Sequence, residues 1–234
     1  GELMAALEQG KSRLQPWAAL AMGLLGHDLR EQERVVPAGF AEALEARLAR
    51  TSVPEDAAAY GIAAGLLGDT RLRESLEAGL QRFRDEHWRA QLAVALGLLG
   101  DPAALPALSA LSQESSSRPE LFEAAAIGRA LLGDRELVSA LLERIPTVAS
   151  GTELAGLTRA LAWTGDGRAL APLVELLRSG EHTSAERRFV IDALGWIGDK
   201  ERTVWDARIS GGLNYPATTQ TLSDPWGLGI LDTL

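Results

Sequence analysis

One short phrase recurs six times along the chain, and this recurrence constrains the fold more than any other feature. The phrase is an Ala-rich segment that ends in glycine, as in LAVALGLLGD and LAWTGD. The final glycines follow one another at separations of 42, 32, 33, 32 and 33 residues, and they are Gly26, Gly68, Gly100, Gly133, Gly165 and Gly198. Such a period is typical of stacked helical repeats. One insertion of about ten residues, near Leu29 to Pro37, interrupts it.

Of the positions that precede each final glycine, two carry a small residue in every copy. Five residues before it stand Ala21, Ala63, Ala95, Gly128, Ala160 and Ala193, and three residues before it stand Gly23, Gly65, Gly97, Ala130, Ala162 and Gly195. Small side chains at fixed offsets let neighbouring helices approach closely. The pattern therefore predicts helix packing and not a chemical site.

The Gly-Asp pair at the end of the phrase predicts where each helix stops. Glycine in the left-handed conformation ends a helix, and the aspartate can accept hydrogen bonds from the free amides that open the next one. Ala, Leu, Glu and Arg dominate the chain, which has only 2 Tyr and 4 Phe, and this composition favours helix over sheet. We therefore expect an all-α fold, a right-handed α-solenoid of about six helix pairs over residues 1–205. Glu2 to Gln9 is interpreted as the remainder of an earlier pair, so that the chain starts in the middle of a repeat.

The segment ALGLLGDPAALPAL, Ala95 to Leu108, resembles the HEAT-like repeat found in phycobilin lyases and in many bacterial proteins of unassigned role. The resemblance extends over roughly Glu2 to Trp205. It mostly implies protein binding along a concave face, whereas a minority of such proteins are lyases or DNA glycosylases. Their functional residues lie outside the repeat consensus, so the resemblance assigns none to this chain.

Three residues that break the repeat consensus are candidates for a specific role. Arg159 and Asp192 replace the Leu, Ile or Val of the other copies in consecutive repeats, and we predict a salt bridge between them as a structural clamp between repeats. Arg129 replaces an apolar residue or alanine of the other copies. Its side chain either extends to solvent or binds a carboxylate of a partner.

The period fails after Asp199, and residues 206–234 form a tail that is not a repeat and that we expect to be partly extended. Its spaced apolar residues could cap the last repeat or tether another chain, because an extended segment with apolar anchors can dock into a groove. The candidate partner-binding residues of the tail are Tyr215, Leu222, Trp226 and Ile230.

Charge and composition limit the possible partners. The formal net charge of -9 gives an acidic field that repels phosphate backbones and anionic lipids, so neither nucleic acid nor membrane is expected as a partner. The absence of cysteine excludes thiolate zinc sites. His27, His87 and His182 have no second ligand at metal spacing, and we expect no metal and no cofactor. Nothing in the sequence indicates a compartment.

These observations predict a noncatalytic scaffold that binds a protein partner and belongs to a larger chain or complex. The first alternative is a phycobilin-lyase-like enzyme or chaperone, which needs a pigment-sized pocket. The second is a nucleic-acid-binding protein, which needs its arginines to converge on one face. Those arginines are Arg47, Arg50, Arg82, Arg84 and Arg89.

Overall fold

The computed structural model describes residues 1–148, 150–180 and 182–198, and within them the fold is made of helices without any strand. The twelve α-helices are α1 (Glu2–Gln9), α2 (Gln15–Glu31), α3 (Phe40–Arg50), α4 (Pro54–Leu67), α5 (Arg73–Arg82), α6 (Glu86–Leu99), α7 (Leu105–Glu114), α8 (Pro119–Leu131), α9 (Leu137–Arg144), α10 (Gly151–Thr164), α11 (Leu170–Arg178) and α12 (Ser184–Gly198). This confirms the predicted all-α class. The predicted right-handedness of the stack stays a prediction.

The chain divides into two units, with the boundary between Ala160 and Leu161. In the first unit α2, α4, α6 and α8 pack on one another in chain order and form an inner layer. Their partners α1, α3, α5 and α7 form an outer layer, each packed on the inner helix that follows it. In the second unit α11 packs on α12 in the same way. The helix Glu2–Gln9 is therefore the outer partner of α2.

The small positions bring the inner helices of the first unit into backbone contact, as the sequence predicts. A Cβ at Gly23 would lie 2.6 Å from the Ala63 carbonyl oxygen, and a Cβ at Gly65 would lie 2.5 Å from that of Ala95. The helices α4 and α6, which have an inner helix on either side, are therefore covered on both of their stacking faces. Ala63 and Ala95 themselves are fully buried.

The Gly-Asp turns also form as predicted at most of the repeats. Four of the six final glycines adopt positive φ, from 58° to 75°, and they are Gly68, Gly100, Gly133 and Gly165. The aspartates next to them accept hydrogen bonds from backbone amides two residues on, for example Asp101 from Ala103 at 3.0 Å. The local sequence therefore determines where these helices end.

Gly26 and Gly198 do not end their helices in the predicted left-handed conformation. Gly26 is buried within α2, which continues to Glu31, and Gly198 is the last helical residue of α12. A side chain at Gly26 would overlap the Leu67 side chain on α4. Gly26 therefore lies at a packing contact with α4 and does not terminate its helix, and the inserted segment begins only after the extra helical turn.

Candidate functional site

The insertion that interrupts the repeat period forms one wall of a cleft in the first unit. The cleft has a volume of about 460 Å³, within the range of about 300–1,000 Å³ that is typical of small-molecule sites. It lies between the end of α2, the start of α3 and the turn after α4. Its lining residues are Arg30, Val36, Pro37, Ala38, Gly39, Phe40, Ala41, Glu42, Leu67, Gly68, Asp69, Thr70 and Arg71.

Backbone turns of the insertion set the shape of this wall. The chain leaves α2 through a hydrogen bond from the Arg34 amide to the Leu29 carbonyl, at 2.7 Å, with Glu33 in a left-handed conformation. It enters α3 through Gly39, whose φ of 89° favours glycine. The segment between these two turns carries Val36 and Pro37 to the cleft.

Arg30, in the additional turn of α2, extends across the cleft to the end of α4. Its Nη1 donates a hydrogen bond to the Leu67 carbonyl at 2.9 Å. Gly68 makes room for this contact, since a Cβ there would overlap the Arg30 guanidinium. Within the described ranges, no carboxylate forms an ion pair with Arg30. The guanidinium therefore lines the cleft as a cation whose only described hydrogen bond goes to a neutral group.

Arg71, on the opposite side of the turn, is paired with two carboxylates. It contacts Asp69 at 2.6 Å and Glu42 at 2.9 Å. Hydrogen bonds from Arg71 hold the pKa of Asp69 below its usual value. The pKa of Glu42 is also lowered, first by a backbone hydrogen bond and then by Arg71, while both carboxylates raise the pKa of Arg71. Glu42 and Asp69 therefore stay ionised at neutral pH and are poor general bases.

The lowered pKa of Asp69 predicts a pH-dependent contribution to stability. Because the folded pKa lies below the unfolded one, the stabilisation is present above about pH 4 and is lost as the pH falls through the folded pKa. We expect Asp69→Asn, which keeps a capping side chain, to be less stable than the wild type at pH 7. The difference should shrink as the pH falls through the lowered pKa of folded Asp69, because the wild-type carboxyl group is then protonated as well. Urea unfolding over a series of decreasing pH values measures it, and a difference independent of pH would contradict the ionic role.

Arg129 has an intramolecular partner in its own turn. Its guanidinium contacts Asp134 at 2.7 Å, and both side chains are largely buried. The side chain thus does not extend to solvent, contrary to the first interpretation. A partner carboxylate would have to displace Asp134, and the predicted partner contact of Arg129 stays a prediction.

Arg159 pairs with the preceding repeat of the first unit. Its Nε lies 2.9 Å from a carboxylate oxygen of Glu123 on α8. The predicted salt bridge to Asp192 would connect the two units and stays a prediction. The tail, with Tyr215, Leu222, Trp226 and Ile230, lies outside the described residues.

His87 and Glu120 form a hydrogen-bonded pair that the small-residue and glycine patterns do not predict. The His87 Nδ1 lies 2.6 Å from the Glu120 carboxylate, at the N-terminal ends of α6 and α8. The two residues are 33 positions apart, which is one repeat period, so they occupy the same position in consecutive copies. Comparing each repeat position for residues of complementary chemistry would have found them. The pair joins two inner helices and lies outside the cleft lining.

Several of the arginines named for nucleic-acid binding are bonded to helix ends instead. Arg47 donates to the Leu7 and Glu8 carbonyls at the end of α1, and Arg82 donates to those of Leu48 and Ala49 near the end of α3. Arg89 is buried and bonded to Leu80 and Glu114. These contacts do not favour an arginine face for phosphates.

Two kinds of feature are absent from the described part of the chain. No three or more histidine or acidic side chains are close enough there to hold a metal ion. No helix in it is long and apolar enough to span a membrane.

Comparison with known proteins gives one family match and a distant structural similarity. The family model of the PBS lyase HEAT-like repeat matches residues 88–114, which cover α6 and α7. No curated protein sequence matches the chain. A solved structure, the complex of CpcE and CpcF of phycocyanin lyase from Nostoc sp. PCC7120, is similar at 17% identity and a TM-score of 0.43. The similarity covers 83% of this chain and 93% of that one.

The family match confirms that the chain carries HEAT-like repeats and corrects one prediction. The prediction from the sequence that this protein is not an enzyme is wrong, because the matching family model is that of the PBS lyase HEAT-like repeat. That prediction was based on the helical-repeat fold. Binding proteins and enzymes can share one fold, so the fold does not determine the function.

Proposed function

We propose that this chain is a phycobilin-lyase-type protein that holds an open-chain tetrapyrrole in the cleft between Arg30 and Arg71. The observation that carries the proposal is the cleft itself, which the insertion adds to an otherwise regular stack. Its volume of about 460 Å³ lies within the range typical of small-molecule sites. The match to the PBS lyase HEAT-like repeat, in the same unit, supports the choice of ligand.

The cleft offers both kinds of contact that such a pigment needs. Val36, Pro37 and Leu67 give it apolar walls for the pyrrole rings. Arg30 can bind a carboxylate, and Glu42 is an ionised acceptor for pyrrole N–H groups. Because the chain has no cysteine, the pigment would be held without a thioether bond to this chain. Binding should therefore be reversible.

A pigment titration of the full chain tests this function. We expect biliverdin to bind with a change in its absorption and circular dichroism spectra, and to be released on unfolding. Ala38→Trp places a large side chain in the cleft and should weaken binding by about tenfold or more, which corresponds to about 1.4 kcal/mol. Ala49→Trp, on the exposed side of α3 away from the cleft, is the matched control.

Two results would overturn the proposal. The first is that the wild type does not change the pigment spectrum at any concentration of protein. The second is that Ala38→Trp and Ala49→Trp bind biliverdin equally well, since this would place the pigment outside the cleft.

A protein partner is a second candidate for this chain, compatible with the first. The helix α2 and the turn before it expose large apolar side chains, which is typical of interaction surfaces. They are Leu14, Trp17, Leu24 and Leu25, with between 39% and 55% of their surface accessible. We expect Trp17→Glu to weaken an assembly formed through these side chains, as measured by analytical ultracentrifugation with any partner that copurifies. Unchanged assembly would exclude this surface.

A further inference from the structure

We propose that the cleft recognises its ligand through a carboxylate group and that Arg30 is the residue that binds it. This inference rests on the proposed pigment function and adds the chemical group that is recognised. Nothing in the family match assigns a role to Arg30, which lies outside residues 88–114.

The pairing of the charged side chains in the cleft points to Arg30. Four charged side chains line it, two arginines and two carboxylates. Both carboxylates are bonded to Arg71, whose Nη2 contacts Asp69 and whose Nη1 contacts Glu42. The Nε of Arg71 also donates to Asp69, at 3.0 Å. Arg71 thus forms ion pairs with both carboxylates. Arg30, whose charge also lowers the pKa of Asp69, forms none within the described residues, and it is the cleft arginine whose guanidinium has donors left for a ligand.

Arg30 is held in place but uses little of its bonding capacity. A guanidinium has five N–H donors in a fixed plane, and the described hydrogen bond of Arg30, to Leu67, uses one of them. The remaining donors suit a carboxylate, which accepts two parallel hydrogen bonds from one guanidinium. The contact with Leu67 and the space at Gly68 fix the orientation of this group before a ligand arrives.

Other arginines that cap helix ends in this protein are bonded more fully. Arg47 donates to two carbonyls and to Gln15, and Arg82 donates to two carbonyls and lies over the Phe83 ring. A purely structural role for Arg30 would resemble these cases. Its single bond and its place in the cleft wall, beside Val36 and Pro37, instead favour a ligand that is apolar with a carboxylate at one end.

Biliverdin and its dimethyl ester provide the test, because the ester keeps the pyrrole rings but removes both negative charges. We expect the full wild-type chain to bind the acid at least about tenfold more tightly than the ester, as befits a charge-assisted hydrogen bond. Arg30→Met should remove this preference and leave ester binding nearly unchanged. Arg30→Lys keeps the positive charge but not the planar guanidinium group, and it should retain part of the preference for the acid.

Arg34→Met is the control, since Arg34 is an exposed arginine of the same insertion that lies outside the cleft lining. It should keep the full preference for the acid. Thermal unfolding of each variant checks that Arg30→Met is folded. Equal binding of acid and ester by the wild type, with Ala38→Trp still blocking both, would overturn the carboxylate inference and leave the pigment function intact. If the wild type binds neither compound, the proposed function fails and this inference with it.

Discussion

Gly97→Ala should destabilise the first unit by about 2 kcal/mol, although alanine is the better helix former. The added Cβ would lie 2.5 Å from the Gly128 Cα and 2.8 Å from the Gly128 carbonyl oxygen. Both are backbone atoms, so the strain cannot be relieved by rotating a side chain. The helices α6 and α8 must instead move apart, which disrupts the packing of the fully buried Leu96 and Leu121. Urea unfolding followed by circular dichroism measures the change.

Gly195→Ala is the matched control, because Gly195 occupies the same position three residues before a final glycine. Among the described residues, no atom outside the helix's own neighbouring backbone lies within 4 Å of a Cβ built there. The same substitution should therefore stabilise α12 by about 0.5–1 kcal/mol, through the lower conformational entropy of the unfolded chain. Opposite signs at the two glycines are the expected result. Equal effects would mean that close helix approach is not what requires glycine at position 97.

Arg89→Met should destabilise the protein by about 2 kcal/mol, the second large effect. The Arg89 side chain is almost fully buried, and its guanidinium donates to the Leu80 carbonyl at 3.2 Å and to Glu114 at 3.1 Å. It thereby joins the ends of two outer helices, α5 and α7. Methionine fills much of the same volume but leaves the Leu80 carbonyl without this donor.

Arg118→Met tests whether burial is what gives Arg89 its effect. Arg118 also pairs with Glu114, at 2.9 Å, but its side chain is about three times as exposed as that of Arg89. Partly exposed ion pairs contribute little, so the loss should stay below about 1 kcal/mol. Chemical unfolding of the two variants side by side gives the comparison. Similar losses for both would contradict an effect of burial.

The repeat positions were predictable because their information is local and occurs six times. Small residues at fixed offsets predict where helices touch, and Gly65 confirms this by its close approach to α6. The Gly-Asp turn predicts where helices end, and Gly100 and Asp101 confirm this. The exception at Gly26 is caused by the inserted segment, which does not belong to the repeat. Gly26 ends the same phrase as Gly100, yet α2 continues through it to Glu31, because the inserted segment supplies another helical turn there.

The cleft and the ion pairs were not predictable in the same way, because they depend on distances between repeats. The pairing of Arg159 with Glu123 joins residues 36 positions apart, a full period plus nearly one helical turn. An alignment of the repeats reveals pairs at the same repeat position, such as His87 and Glu120. It misses the pair of Arg159 and Glu123, whose repeat positions differ by about one helical turn. The cleft needs the path of the chain between Glu31 and Gly39, and no periodic signal covers that segment.

Each inner helix of the first unit packs on its neighbours in the stack. A longer loop between two helices therefore disturbs only the packing next to that loop. The insertion after α2 is such a change, and the helices beyond it return to the regular spacing. In evolutionary terms, this arrangement separates the part of the molecule that can vary from the part that must not. Lengthening or shortening the loop at residues 32–39 alters the lining of the cleft while the glycine contacts beyond α4 stay as they are. A relative with another loop length could thus select a different ligand on an unchanged framework.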